Sequence, residues 1–228
     1  MSIWTRIAET VTAIGESVGA FLQKLAAGRG TPPERSIAFT IGMIALGAKM
    51  AKADGVVTEV EIQAFRQVFH VPDSELPAVA RVFNLAKQDV AGYETYARQI
   101  ARLFEARSAL LEDVLDGLFH IAKADDALHP GELIYLESVA AVFGFTGLDY
   151  QRIRARHQTV NGDPYLILGL ERGVAPGEIK RRYRELVREY HPDRHIAAGV
   201  PEEMVEIATE RLQKVNEAYE QIMRERAA

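Results

Sequence analysis

The segment from Tyr183 to Asp193, YRELVREYHPD, predicts a basic amphipathic helix that runs into a His-Pro-Asp turn. At about 100° of rotation per residue, a helix from Pro176 to Tyr190 gathers its apolar side chains on one arc and its lysine and arginines on the next, with its glutamates beyond. Pro192 ends this helix, because proline pushes the residue before it out of helical φ/ψ. His191 and Asp193 are therefore expected on a stiff, exposed turn at the end of a positive stripe.

Such a stripe next to such a turn suits docking on an acidic protein surface. Opposite charge steers the encounter, and the turn supplies directional hydrogen bonds. The stripe lacks interleaved exposed aromatic side chains, because Tyr183 and Tyr190 belong to the apolar arc. The helix therefore does not predict binding to nucleic acid.

The sequence on both sides of the turn continues the pattern. Upstream, Asp163-Pro164 opens a short helix that Gly169 closes. Downstream, LQKVNEAYEQI has apolar residues at helical spacing. In this order, over residues 163 to 223, the elements resemble the J domain of DnaJ-type co-chaperones, in which a helical hairpin carries His-Pro-Asp in its connecting loop.

This resemblance implies a DnaK-type chaperone as partner and stimulation of its ATP hydrolysis, with no catalysis by this chain itself. The family's docking residues correspond to the turn and to four cations of the stripe: His191, Pro192, Asp193, Lys180, Arg181, Arg184 and Arg188. The segment from Arg194 to Pro201 looks longer than a typical loop of the family.

Length and composition limit the other possibilities. The chain has 228 residues, 48% of them hydrophobic and 26% charged, which predicts one or two globular domains. The net charge of −5 gives no global reason to expect nucleic acid, and the absence of cysteine excludes disulfides and thiolate chemistry. No apolar run reaches about 18 residues and no signal peptide is recognisable, so a cytoplasmic location is expected.

Residues 1–30 predict a long amphipathic helix, followed by a Gly/Pro-rich linker. Its apolar residues recur at alternating steps of three and four: Trp4, Ile7, Val11, Ile14, Val18, Phe21 and Leu25. Three interpretations stay open: residues 3–25 pack on the next domain, associate with a second copy, or make peripheral contact with the cytoplasmic face of the inner membrane. The basic residues of this helix are matched by acidic ones, so its attraction to anionic lipid is expected to be small.

Residues 34–158 predict an all-α bundle without strand-like alternation. Helices are expected over Leu76–Lys87, Tyr93–Phe104, Leu110–Lys123, Glu132–Phe143 and Asp149–Arg156. The basic residues at the end of the last helix are expected to be solvated, just before a linker at 159–162: Arg152, Arg154, Arg156 and His157.

A repeat lies within this bundle. AKAD at 51–54 returns at 122–125, and each copy has a glutamate seven positions after its aspartate, at the start of the next helix. The doubled turn resembles the TerB-like domain first named for tellurite-resistance proteins, although Asp126 replaces the glycine in the second copy. A TerB-like domain at 34–158 before a J domain at 159–228 resembles the DjlA group of DnaJ-like proteins, whose classical members carry a membrane anchor where this chain has an amphipathic helix.

The carboxylates of the repeat allow two interpretations. Hard cations are bound by several carboxylate oxygens, and TerB-like proteins have been associated with metal, so these residues are the candidate metal ligands: Asp54, Glu61, Asp125 and Glu132. Alternatively, each aspartate starts a turn and each glutamate caps free N–H groups. Two carboxylates per copy fall short of the roughly six oxygens that calcium takes, which favours the structural interpretation. No cofactor is predicted.

Two functions follow from these patterns. The first is a co-chaperone in which the TerB-like domain gives localisation or choice of client. The second is a metal-binding stress-response protein with the J domain as its output. A hydrolase is disfavoured, because His191 and Asp193 lie on either side of a proline and the chain has no nucleophile motif or phosphate loop.

Overall fold

The computed structural model describes residues 7, 32–53, 66, 71–88, 92–104, 108–123, 128–157, 162–197 and 202–227. Within these ranges the regular elements are helices and no strand occurs, which confirms the all-α prediction. The helices are α1 (Pro32–Ala53), α2 (Leu76–Gln88), α3 (Tyr93–Ala101), α4 (Ala109–Ala122), α5 (Pro130–Val142), α6 (Leu148–Arg156), α7 (Pro164–Leu168), α8 (Pro176–Glu189), α9 (Pro192–Ala197) and α10 (Glu202–Ala227), with a 3-10 turn at Asp73–Glu75. Among the helices of these ranges, none combines the length and the hydrophobicity that a membrane span requires.

Helices α1 to α6 form the first bundle, which is organised around α1. This helix packs against α2, α3, α4 and α5 and buries Ile41, Ile44 and Ala48. Gly42 allows the close approach of α3 that its small size predicts, because a Cβ at this position would lie 2.6 Å from Ile100 Cγ1. The first bundle therefore has a core of its own.

Helices α7 to α10 form the hairpin unit. Tyr183 of α8 stacks on Tyr219 of α10 at 4.1 Å between ring centroids. Tyr190, which directly follows α8, contacts Arg211 of α10 through its ring. Residue numbers rise along α8 as they fall along α10, so the two helices are antiparallel. Their apolar faces share a second core with α7, lined by Leu168, Ile179, Leu186, Val215, Ala218 and Ile222.

The short helix α7 follows its sequence signals closely. The Asp163 carboxylate accepts the N–H of Tyr165 at 3.0 Å, and Pro164 occupies the first helical position. Gly169 ends the helix with φ of +68°, a conformation that glycine adopts at little cost. Both ends of α7 are thus where the sequence predicts them.

Some predictions fall on residues outside the described ranges. These include Asp54, Glu61 and Asp125, and most of the helix predicted over residues 1–30. Ile7 of that helix is described, and it is fully buried in the core of the first bundle. Its burial is the result expected if the apolar stripe packs on the next domain.

Candidate functional site

The His-Pro-Asp turn joins α8 to α9 and lies on the surface. Helix α8 ends at Glu189, and Pro192 occupies the first position of α9. The side chains of His191 and Asp193 are 50% and 83% exposed, so packing of the two units does not hide them. The sequence predicted a loop from Arg194 onward. This prediction was wrong for residues 194–197, which are part of α9. The reason is that Pro192, which ends α8, is also a favourable first residue for a new helix.

Hydrogen bonds within the turn orient its polar groups. The backbone N–H of Asp193 donates to His191 Nδ1 at 3.2 Å, and the N–H of Arg194 donates to the His191 carbonyl at 3.0 Å. Asp193 Oδ2 lies 3.5 Å from the same Nδ1 atom, and with Nδ1 accepting the backbone N–H, the neutral ring has its N–H on Nε2. The turn therefore presents an N–H donor and a carboxylate acceptor side by side.

The predicted cationic stripe is exposed along α8. Its four members, Lys180, Arg181, Arg184 and Arg188, all lie in solvent. Arg181 bonds to Glu185 at 2.9 Å and Glu178 at 3.3 Å, so the glutamates are less separated from the stripe than the helical wheel predicts. Residues three and four positions apart are neighbours on a helix, and such exposed pairs are weak and readily exchanged for a partner's carboxylates.

Behind this surface lies a buried charge cluster that the sequence did not predict. Three carboxylates of α4 meet three arginines, two from α6 and one from α10, and all six side chains are buried: Glu112, Asp113, Asp116, Arg152, Arg156 and Arg211. The prediction of a solvated end for α6 was therefore wrong for Arg152, Arg156 and His157, because α4 supplies carboxylates directly opposite them.

Glu112 is the centre of this buried charge cluster. Its two carboxylate oxygens accept from Arg152 Nη1 and Nη2 at 2.8 and 3.0 Å, and its Oε1 lies 2.7 Å from Arg156 Nη2. The Tyr190 hydroxyl donates to the same carboxylate, 3.1 Å from both oxygens, and accepts from Arg152 Nη1. Bidentate hydrogen bonds between charged groups, as between Arg152 and Glu112, are stronger than those between neutral groups.

The other members link α4 to α6 and α10. Asp116 accepts from both Arg156 Nη2, at 3.0 Å, and the His157 ring, at 2.7 Å. Arg211 donates to the Asp113 carboxylate and, at 3.2 Å, to the Ala109 carbonyl. Its guanidinium also lies 4.1 Å above the centre of the Tyr190 ring. The cluster therefore pairs charged side chains of both units.

The electrostatics of the cluster keep Glu112 and Asp116 ionised. Burial raises the pKa of Glu112, but the charges of Arg152, Arg156 and Arg211 outweigh burial and hold that pKa far below its usual range. The same balance between burial and Arg156 lowers the pKa of Asp116. Burial lowers the pKa of His157 and outweighs its bond to Asp116, so His157 resists protonation.

Acidification is expected to destabilise the protein in two stages. His157, beside Asp116, Arg156 and Lys123, has a pKa lowered from its ordinary 6.5, so the unfolded chain binds its proton first and stability falls below about pH 6.5. The lowered pKa values of Glu112 and Asp116 add a second loss below their ordinary values of 4.5 and 3.8. Urea unfolding from about pH 7.5 to about pH 3 measures both stages.

The variant His157→Gln separates these two stages, because it removes the group that titrates in the first. Its free energy of unfolding should not change with pH just below about pH 6.5, where that of the unsubstituted protein begins to fall. In stronger acid, where Glu112 and Asp116 titrate, the free energies of both proteins should fall. Stability that rises on acidification from neutral pH would contradict this account of the cluster.

Of the four carboxylates of the repeat, the structure describes only Glu132. Glu132 is buried at the start of α5, where its Oε2 accepts the backbone N–H of His129 at 2.9 Å. This is the capping role that the structural interpretation predicts for it. Among the described residues, no group of three or more metal-ligating side chains lies close enough together to hold a metal ion.

Two family matches agree with the arrangement of the two units. Residues 40–155 match the family described as tellurite resistance protein TerB, and residues 163–227 match the DnaJ domain. The fold and the exposed turn thus define a J-domain protein with a TerB-type helical bundle in front of its J domain.

Similar proteins are known along most of the chain. The sequence is 30% identical to the co-chaperone protein DjlA of Coxiella burnetii, over 91% of this chain and 84% of that protein. It is 28% identical to DjlA of Photobacterium profundum, over 87% and 81%, and 26% identical to DjlA of Escherichia coli K12, over 85% and 81%. The chain therefore belongs to the DjlA co-chaperone family. No solved structure matches it.

Proposed function

We propose that this protein docks on a DnaK-type chaperone through α8 and the His191–Asp193 turn and stimulates ATP hydrolysis by that chaperone. The observation that supports this most is the exposure of the turn and the cationic stripe on one continuous helix-to-turn segment. The first bundle is proposed to set the location of the protein or its choice of client.

The proposed mechanism divides the work between the stripe and the turn. Lys180, Arg184 and Arg188 attract an acidic surface over a distance of about 10 Å, which raises the rate of encounter. His191 and Asp193 then make short-range hydrogen bonds with the bound partner. Pro192 restricts the backbone between them, so less conformational entropy is lost on docking.

Docking changes the partner, which carries out the hydrolysis. A ligand shifts a conformational equilibrium only if it binds one state more tightly than the other. The His191 N–H donor and the Asp193 acceptor are directional, so they can discriminate between two arrangements of the same acidic surface. Stimulation requires the pair to fit the hydrolysis-competent state better.

Steady-state ATP hydrolysis by a DnaK-type chaperone, measured over a titration of the full-length protein, tests this proposal. The rate should rise and saturate, and the half-stimulating concentration should increase severalfold between about 50 and about 200 mM salt, because attraction by the stripe is screened. A hydrolysis rate that does not respond to the protein at low salt would contradict the proposed function.

A further inference from the structure

The two units meet through contacts that connect the first bundle to the residue next to the exposed turn. Tyr190 is fully buried, whereas His191, the next residue along the chain, is exposed. The Tyr190 hydroxyl reaches back 78 residues to the Glu112 carboxylate in α4. A residue of the first bundle therefore holds the backbone from which the turn begins.

The apolar parts of the two units also interlock. Ile207 of α10 belongs to the core of the first bundle, and Ala155 of α6 belongs to the core of the hairpin unit. At the entrance to the hairpin unit, Gly162 lies so close to α6 that a Cβ would be 2.5 Å from the Ala155 carbonyl oxygen. Each core thus contains a residue of the other unit, which limits rotation between them.

The polar contacts determine which relative orientation is stable. Apolar contacts tolerate sliding, but a buried carboxylate that loses its hydrogen bonds is left desolvated and without compensation. The bonds that cross between the units include that of the Tyr190 hydroxyl to Glu112 and those of Arg211 to the Asp113 carboxylate and the Ala109 carbonyl. Few orientations of the hairpin unit satisfy all of these bonds at once.

From this geometry we infer that Glu112 is a positioning residue for chaperone docking. It holds Tyr190, and through Tyr190 the His191–Asp193 turn, in one orientation relative to the first bundle. The role in docking rests on the proposed function. If that function holds, the chaperone binds the two units as one rigid body, and the first bundle determines the angle at which the turn is presented.

Paired spin labels measure the orientation directly. The chain has no cysteine, so labels can be placed at two exposed positions in the full-length protein through Glu137→Cys in α5 and Glu220→Cys in α10. The unsubstituted cluster should give one narrow distance distribution. A broad or multiple distribution would overturn the inference whether or not the protein acts on a chaperone.

Two tyrosine variants distinguish positioning from general stability. Tyr190→Phe removes only the hydroxyl, which donates to Glu112 and accepts from Arg152, and leaves the arginine pairs of Glu112 in place. Tyr183→Phe removes a hydroxyl of α8 whose bond, 3.0 Å to Asn216 Oδ1, stays within the hairpin unit. Tyr190→Phe should broaden the spin-label distances, and Tyr183→Phe should leave them unchanged.

The same variants should differ in chaperone stimulation. Fewer molecules of Tyr190→Phe hold the turn in the docking orientation, so its half-stimulating concentration should rise about three- to tenfold with the maximal rate unchanged. Glu112→Gln should act in the same direction. Identical behaviour of Tyr190→Phe and Tyr183→Phe in both measurements would overturn the inference, whereas a silent unsubstituted protein with narrow distances would overturn only the proposed function.

Discussion

Replacing His191 with glutamine, or Asp193 with asparagine, is expected to abolish stimulation of the chaperone's ATPase and to leave the fold unchanged. Glutamine offers no aromatic Nε2–H in the orientation that the Asp193 N–H imposes on the imidazole ring. Asparagine keeps the shape of Asp193 but loses the charge that strengthens its hydrogen bonds. Both side chains are exposed, so the free energy of unfolding should change by no more than about 0.5 kcal/mol.

A histidine elsewhere on the surface provides the matched control. His120 is exposed on α4, in the first bundle, and His120→Gln makes the same chemical change away from the turn. It should stimulate like the unsubstituted protein. Normal stimulation by folded His191→Gln, verified by circular dichroism and urea unfolding, would show that the turn does not act in the proposed way.

Replacing Arg211 with methionine is expected to lower the free energy of unfolding by about 3–5 kcal/mol. Methionine fills much of the same volume, but it leaves the buried Asp113 carboxylate without the guanidinium of Arg211. The double variant Arg211→Met with Asp113→Leu removes both charges. It should recover about half of the loss or more, because an apolar pair avoids the cost of burying charge. Urea unfolding monitored by circular dichroism measures each value.

The control for this series is Arg181→Met, on the exposed face of α8. Arg181 forms two ion pairs, with Glu178 and Glu185, yet its side chain is 62% exposed. Its replacement should cost no more than about 0.5 kcal/mol, since water compensates the glutamates. Equal losses for Arg181→Met and Arg211→Met would show that the buried charge cluster contributes no more than a surface pair.

Local signals in the sequence were sufficient to predict most of the helices. Asp163, Pro164 and Gly169 predict both ends of α7, because capping and left-handed conformations depend on residues a few positions apart. The apolar spacing of α8 predicts its buried face, and its arginines predict the exposed stripe. The exposed His-Pro-Asp turn follows from the same local rules, since proline restricts its own neighbours.

The buried charge cluster could not be predicted in this way. Periodicity arguments assign charged residues to water, and the partners of Glu112 lie between 40 and 78 residues away in the chain. A signal was nevertheless present in LLEDVLDGLFHIA, residues 110–122, where three acids interrupt an otherwise apolar helix. Acids in such a helix require buried cations, and α6 offers arginines at a spacing of four. Only the tertiary fold could identify Arg211 and Tyr190 as the remaining partners.

The position of Arg211 along the chain has a consequence for synthesis on the ribosome. Asp113 precedes Arg211 by 98 residues, so at about 5–20 residues per second the cation arrives about 5–20 s after the anion. Glu112 and Asp116 meet their α6 arginines earlier, whereas the contact between Asp113 and Arg211 forms only when α10 has emerged. The first bundle therefore reaches its final packing only when the hairpin unit has been made, since Ile207 and Arg211 of α10 both pack against it.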